Sequence, residues 1–220
     1  MSGEYSLAVK SELIGNKHRL MPNEHINWRH RAALGFIDEK TKVLDVGCGD
    51  GTFLYLLKTR KKCDAVGLDI SPHAIKKAAE KGVKAILLNV EQEKFPFNDN
   101  EFDYITCLEV LEHLHDPISV LEEMRRVCKT YGIFSYGNTA WWRNRFELLL
   151  GKVPTSNPFK SKGGPCHTKG HIYYWNFYDF RDLLASCGFI PIEYEILGGV
   201  PLIGRFIPVS YTHLRAHETG

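Results

Sequence analysis

The sequence predicts an α/β fold built on a doubly wound, mostly parallel sheet, and three observations carry that prediction. Val43-Leu44-Asp45-Val46-Gly47-Cys48-Gly49-Asp50-Gly51-Thr52-Phe53 reads as a buried strand, a glycine turn and the start of a helix. A second apolar strand, Ala65-Val66-Gly67-Leu68-Asp69-Ile70, follows and carries a carboxylate at its end. Ser71-Pro72 and Asp116-Pro117 then repeat one device between strands: a side chain that caps a helix, and a proline at its first position, where the missing amide hydrogen costs nothing.

The elements follow in order. Pro22-Asn23 marks the entry to an amphipathic helix with Ile26, Ala33, Leu34 and Ile37 on one face, placed to cover the ligand's side of the sheet. The helix from Pro72 runs to about Lys81 and stops at Gly82. Ile118, Leu121, Met124 and Val127 form the buried stripe of the helix after Asp116. Ile133 to Tyr136 is the fifth strand, Phe177 to Ser186 a helix, and Ile190 to Leu197 the sixth strand.

Forty residues separate Tyr136 from Phe177. Ala140 to Leu150 mixes Trp141, Trp142, Phe146 and Leu148 to Leu150 with Arg143 and Arg145, and reads as a helix docking one apolar face on the core, with stacking of its aromatic and basic groups on a base or ring as the alternative. Pro154 to Lys169 is rich in Pro, Gly, Ser and Lys and reads as a mobile loop, so the pair has the make-up of a lid. Ile196 to Val209, broken by Gly198, Gly199, Pro201, Gly204, Arg205 and Pro208, reads as a buried or hairpin-forming loop. It is too interrupted to span a membrane, and no other stretch is long and apolar enough.

In such a fold a ligand binds at the carboxyl ends of the strands, where Gly47, Asp69, Asn89 and Leu108 fall. A carboxylate at the end of the second strand can accept both hydroxyls of a ribose, which points to an adenosine. Dinucleotide sites favour Gly-x-Gly-x-x-Gly, whereas here the glycines fall as Gly-x-Gly-x-Gly with Asp45 two residues before the first. A carboxylate in the cradle repels a pyrophosphate and suits an ammonium group. S-adenosylmethionine has an amino-acid end and no phosphate. A nicotinamide dehydrogenase is disfavoured by the glycine spacing and by the lack of a hydride-handling site.

At these residues the chain resembles the class I S-adenosylmethionine-dependent methyltransferases of the type 11/12 kind, whose first motif is an acidic residue followed by these glycines. The resemblance continues through Asn89-Val90-Glu91 as the third strand, through Phe95-Pro96-Phe97-Asn98-Asp99-Asn100-Glu101-Phe102-Asp103 as its loop, and through Tyr104 to Cys107 as the fourth strand. With Glu109-Val110-Leu111-Glu112-His113-Leu114 and Asp116-Pro117 it covers about Lys42 to Gly137. Asn138, Trp142-Arg143-Asn144-Arg145, Gly170-His171-Ile172 and Cys187-Gly188-Phe189 are similar to a narrower branch that includes the MetW-like proteins. Two departures stand out: Asn89 where the family has Asp to accept the adenine amino group, and Lys129-Thr130-Tyr131-Gly132 in place of Lys-Pro-Gly-Gly.

The resemblance implies a Rossmann-like sheet, S-adenosyl-L-methionine as cofactor, and binding through Asp45, Gly47, Cys48, Gly49, Gly51, Asp69, Ile70, Asn89, Val90 and Leu108. It also implies methyl transfer to a small-molecule acceptor, on oxygen, with Glu109 and His113 nearest the methyl group. If a helix begins after the fourth strand, Glu109, Glu112 and His113 stand at i, i+3 and i+4 on one face. His113 then suits a general base. The alternative is a divalent metal held by Glu109, Glu112 and His113 with His171, similar to ubiquinone-type O-methyltransferases and to small-RNA 2′-O-methyltransferases. A metal-assisted RNA methyltransferase and a non-catalytic methyltransferase-like partner protein therefore remain as alternative functions. Cys166, His167 and His171 lack the second pair that a zinc site needs.

The 220 residues fit one domain over 1–208: a helical cap (1–41), a cofactor-binding core (42–137), a lid or acceptor insertion (138–171), and a carboxyl-terminal helix and strand (172–208). A net charge of +2 gives no global pull toward nucleic acid. Six cysteines, at 48, 63, 107, 128, 166 and 187, form no Cys-x-x-Cys pair, and no apolar leader precedes the fold, so a reducing cytoplasm is expected. Residues 209–220 lose apolar periodicity and resemble a translated sequencing adapter. With that tail set aside, nothing apolar remains after Pro208 for the final antiparallel strand, and the sheet is expected to lack it and to expose a gap.

Overall fold

The computed structural model describes residues 26–137, 142–151, 172–196 and 202–208. Its elements are α1 (Trp28–Phe36), β1 (Lys42–Val46), α2 (Thr52–Arg60), β2 (Asp64–Asp69), α3 (Pro72–Glu80), β3 (Lys84–Leu87), β4 (Phe102–Leu108), a 3-10 turn (Leu111–His113), α4 (Pro117–Val127), β5 (Cys128–Tyr136), α5 (Trp142–Leu149), α6 (Phe177–Ser186), β6 (Phe189–Ile196) and β7 (Leu202–Pro208). Among the described residues the strands make one seven-stranded sheet in the order β3-β2-β1-β4-β5-β7-β6. The pairs from β3 to β5 are parallel, and β7 runs antiparallel to both β5 and β6.

Strand alternation sorts the core onto two faces. Val43, Tyr104 and Ile133 pack with α1 and α2, whose Ala33, Leu34, Phe53 and Leu57 are buried. Leu44, Val46, Ile105, Cys107, Phe134 and Tyr136 face the other way, against α4 and α6 through Leu121, Met124, Phe180 and Leu184. Tyr136 stacks on Phe180 with ring centroids 4.0 Å apart. The loop before β4 is held by Arg126, which donates to the carbonyls of Phe95 and Phe97 and to Glu123 and Asp99.

The helix starts follow the expected chemistry. Ser71 Oγ accepts from Ala74 N at 3.3 Å and Asp116 Oδ1 from Ser119 N at 3.2 Å, each beside a proline in the first turn. The first described helix begins later than the entry read from Pro22-Asn23, which lie outside the described residues: Asn27 caps it by accepting from Arg29 N. The third strand ends at Leu87, so Asn89-Val90-Glu91 form the turn that follows it.

The sheet does not lack its last antiparallel strand. Leu202–Pro208 forms β7 between β5 and β6, and closes the gap expected there. Gly204 and Pro208 were read as breakers, but a strand paired on both edges keeps its ladder through a glycine, and a proline at its final position forfeits little. β6, the outermost strand of that hairpin, carries Pro191 next to a register shift, where a proline is tolerated. α5 also departs from expectation. Phe146, Leu148, Leu149 and Leu150 are exposed instead of docked on the core. The loop read at 154–169, Trp141 and the tail 209–220 lie outside the described residues.

Gly67 in β2 marks a close approach between the sheet and the turn that follows β1: a Cβ there would stand 2.4 Å from Cys48 Sγ and 2.8 Å from Leu54 Cδ1. Gly67→Ala is expected to destabilise the protein by about 1–3 kcal/mol through overpacking, read as a lower urea midpoint; an unchanged midpoint would show that Cys48 and Leu54 move aside freely.

Candidate functional site

The site grows from the bend between β1 and α2. Gly47, Gly49 and Gly51 all take positive φ (76°, 54° and 73°), a region that side chains with a Cβ adopt at a cost. Two of them are also crowded: a Cβ on Gly47 would lie 2.3 Å from Val110 Cγ2, and one on Gly51 would lie 2.8 Å from Ala78 and Val83. Gly49 differs, since a Cβ there would meet nothing within 4 Å, so its bare backbone faces open space.

The bend is pegged to the end of β2. Leu68 O accepts from Gly47 N at 2.8 Å and from Cys48 N at 3.0 Å. Asp69 Oδ2 accepts from Gly49 N and its Oδ1 from Ser71 N, both at 2.8 Å. One carboxylate therefore ties the glycine turn to the cap of α3, and each of its oxygens keeps a lone pair for another donor. On the outer side Lys81 Nζ donates to Asp50 O at 2.9 Å, Asp50 Oδ2 at 2.5 Å and Thr52 Oγ1 at 2.7 Å.

Asp45 lies beneath this bend and is 3 % exposed. β1 pairs it with Thr106 of β4, on the face shared with α1 and α2, and Thr106 Oγ1 donates to its Oδ1 at 2.6 Å. Burial pushes the Asp45 carboxyl up to about 7, against the pull of the Thr106 bond and with a further push from the charge of Asp69. Above it, α1 places His30 against Phe53 with ring centroids 5.1 Å apart. Burial, then the Arg29 charge, lowers His30 to about 4 despite Asp50, so its imidazole is neutral at pH 7.

The remaining expected ligand residues line the strand ends. Ile70 is 64 % exposed directly after Asp69, an apolar surface unusual for its type. Asn89 and Val90 are half-buried, and Asn89 Oδ1 already accepts from Glu91 N at 3.1 Å. Leu108 is half-buried at the end of β4. Cys48 is buried, and its thiol is held well above the ordinary range by burial and by the neighbouring carboxylates Asp45 and Asp69.

Glu109, Glu112 and His113 do not share a helical face. Glu109 precedes the 3-10 turn in a left-handed backbone conformation (φ 56°) and forms an ion pair with Arg29. Glu112 is 2 % exposed with no hydrogen-bond partner on either oxygen, and burial pushes it up to about 7. His113 is exposed. A turn this short, entered through a left-handed residue, cannot keep the i, i+3, i+4 alignment of an α-helix. Among the described residues no cluster of three or more His, Cys, Asp or Glu is arranged to hold a metal ion, and His171 lies outside them. Three contributors were missed from the sequence: Thr106, Arg29 and Lys81. Only Thr106, a small hydroxyl between Ile105 and Cys107 and opposite Asp45, carried a local signal.

The donor and acceptor set suits a cationic nucleoside. Two carboxylates, one of them buried, converge on an open turn of bare amides, and among the described residues no lysine or arginine side chain is bonded to either carboxylate. A pyrophosphate would meet negative charge there; an ammonium or sulfonium group, with ribose hydroxyls directed at Asp69, meets none of that repulsion.

The family model described as methionine biosynthesis protein MetW matches residues 29–190. The demethylmenaquinone methyltransferase of Listeria monocytogenes serotype 4a is 36 % identical over 152 residues, covering 63 % of this chain and 64 % of that protein. The ubiquinone biosynthesis O-methyltransferase of Acinetobacter baylyi is 28 % identical over 121 residues, covering 52 % of this chain and 49 % of that protein. The chain thus spans less than two thirds of the length of these relatives. Its fold is that of S-adenosylmethionine-dependent methyltransferases from Thermotoga maritima (TM-score 0.62, 19 % identity, 82 % of this chain and 87 % of that one) and Aquifex aeolicus (TM-score 0.59, 20 % identity, 82 % and 89 %).

Asp45 keeps its proton in the folded protein up to about pH 7, whereas the unfolded chain releases it near pH 4. The folded state therefore binds more protons between those limits, and stability falls as pH rises from about 4 to about 7, with a slope of up to about 1.4 kcal/mol per pH unit for each such group. Glu112 acts in the same direction. Asp45→Asn, which keeps the Thr106 contact, is expected to flatten that decline in urea unfolding; a variant with the full decline would remove Asp45 as its source.

Proposed function

The chain belongs to the family of the methionine biosynthesis protein MetW, and on that footing we propose that it transfers a methyl group from S-adenosylmethionine to the oxygen of a small-molecule acceptor. Asp69 carries the cofactor half of this assignment: its carboxylate, fixed by Gly49 N and Ser71 N at 2.8 Å, presents its remaining lone pairs to a ribose diol. Asp45, under the same bend, is the carboxyl that the ammonium group of the amino-acid end would draw into its ionised form, and Cys48 and the bare amides of Gly47, Gly49 and Gly51 let the ligand approach the backbone. Ile70 and Val90 supply apolar surface for the adenine, Asn89 an amide beside it, and Leu108 the rim at the end of β4.

When bound, the cofactor supplies a methyl group on a sulfonium whose positive charge disappears as the acceptor oxygen forms its bond to carbon and the sulfur–carbon bond breaks. The protein's share is positioning and exclusion of water, because little new charge needs solvation; effective molarities on the order of 10⁵ to 10⁸ M are attainable by orientation alone. On the acceptor side, Arg29 fixes Glu109 at the end of β4. A guanidinium-paired carboxylate is a weak base, so Glu109 orients the acceptor, and His113, exposed on the adjoining turn, receives the proton that its hydroxyl loses. Two relatives named for demethylmenaquinone methylation and for an O-methylation of ubiquinone biosynthesis support an organic acceptor of small size.

Asp69→Ala removes two charge-assisted hydrogen bonds to the ribose, each worth about 1.5–3 kcal/mol, and is expected to weaken S-adenosylmethionine at least tenfold by titration calorimetry. Asp69→Asn, which retains one acceptor and preserves the turn better, should fall between. Equal affinity in all three proteins would show that the ribose lies elsewhere.

A further inference from the structure

Three separate stretches of the ligand edge meet at one residue. The turn after β3 is closed on itself: Asn89 Oδ1 accepts from Glu91 N at 3.1 Å, Asn89 O accepts from Gln92 N at 3.0 Å and from Glu93 N at 2.9 Å, and Glu93 Oε1 accepts from Asn89 N at 3.0 Å. From that turn the Glu91 carboxylate crosses to the loop before α4, where its Oε1 accepts from His115 N at 2.6 Å and from Asp116 N at 3.0 Å. Tyr173 Oη donates to the carbonyl of the same His115 at 3.0 Å. His115 is thus gripped through its backbone from both sides, while its side chain is 84 % exposed.

Residues 172–175 belong to no helix or strand, so a few contacts fix them and the loss of one matters. Ile172 N and Tyr173 N donate to Glu112 O, at 2.7 and 3.3 Å, on the turn after β4. Trp175 packs on Tyr136 and Phe180, with ring centroids 6.4 and 5.4 Å away, and Tyr173 lies parallel to Trp175 at 5.3 Å. Between these tethers Ile172 and Tyr174 are exposed, which leaves an apolar strip beside the turn that follows Glu109.

We infer that Glu91 and Tyr173 are positioning residues that couple cofactor binding to the order of the acceptor side. The inference rests on the cofactor reading above, in which Asn89 and Val90 flank the adenine. A ligand that fixes that turn also fixes the Glu91 carboxylate, whose two bonds place the 115–116 loop and so the carbonyl that Tyr173 needs. The ordering entropy is then lost once, and the acceptor meets a wall already in place. Linkage is reciprocal: order at 172–175 strengthens cofactor binding by the same factor. A brace for the start of α4 would need only Glu91 and Asp116, and would give no role to the Tyr173 bond on the opposite side of His115.

The test is amide hydrogen exchange of the whole chain with and without saturating S-adenosylhomocysteine, with affinity measured by titration calorimetry. In the wild type the ligand is expected to slow exchange by about fivefold or more, in the glycine turn and in 172–175 alike. In Glu91→Ala, at saturating ligand, the glycine turn should still be protected and 172–175 should not; Glu91→Gln, which keeps one acceptor oxygen, should restore part of the effect. Tyr173→Phe removes a single hydroxyl and is expected to lose the same protection and to bind the ligand about fivefold more weakly, the low end of ordinary coupling between sites. His115→Ala leaves the peptide groups in place and should behave as wild type. Wild-type protection confined to the glycine turn would overturn the coupling. So would protection of 172–175 that survives both Glu91→Ala and Tyr173→Phe, or that is lost in His115→Ala. A wild-type protein that neither binds the ligand nor gains protection anywhere would overturn the cofactor assignment, and the coupling with it.

Discussion

The architecture of the ligand edge depends on one carboxylate. Asp69 reaches back from the end of β2 to hold the amide of Gly49 and forward to hold that of Ser71, so two turns of the chain, one before β2 and one after it, share a single peg. Hydrogen bonds to a charged group contribute more than neutral ones, about 1.5–3 kcal/mol each, and here they offset the conformational entropy lost in fixing a turn of three glycines. The rest of the region is arranged around that peg. Gly67 lets Cys48 settle against β2, Gly51 lets α2 begin where α3 passes, and Lys81 braces the outer wall of the same turn from the end of α3.

Burial explains the unusual state of Asp45, and the charge of the peg adds to it. Two carboxylates near one turn, one of them sealed from water, cannot both ionise freely, and the buried one holds its proton nearly to neutrality. Among the described residues the polar side chain bonded to it is the Thr106 hydroxyl, a donor too weak to restore the ordinary value. A site in this condition favours a positively charged visitor over a negatively charged one. Chemistry selects the ligand class here before shape does.

Legibility in the sequence followed the range of the interaction. The glycine turn, the carboxylate at the strand end and the Ser71-Pro72 and Asp116-Pro117 starts are local, each depending on residues within a few positions, and the structure has them where the residues place them. Contributions across the fold were not visible: Arg29 meets Glu109 from 80 positions away and Lys81 reaches Asp50 from 31. The run after β4 misled for a different reason. Its spacing fits an α-helix, but the left-handed backbone at Glu109 and a turn of three residues, Leu111–His113, bury Glu112 and expose its neighbour, so periodicity was applied where no helix exists. At the far edge, Gly204 and Pro208 argued against a strand that pairing on both sides creates anyway, because partners outweigh intrinsic preference in a sheet.

That inserted strand also governs the order of assembly. β7 occupies the slot between β5 and β6, so the strand that comes last of the seven in chain order must slide between two neighbours synthesised before it. Until then β5 presents an open backbone edge and β6 has no partner, a state in which the nascent chain is vulnerable to pairing with its copies. Vectorial synthesis can complete the parallel half from β3 to β5 early. Closure of the sheet waits for the final antiparallel segment, which works as a keystone.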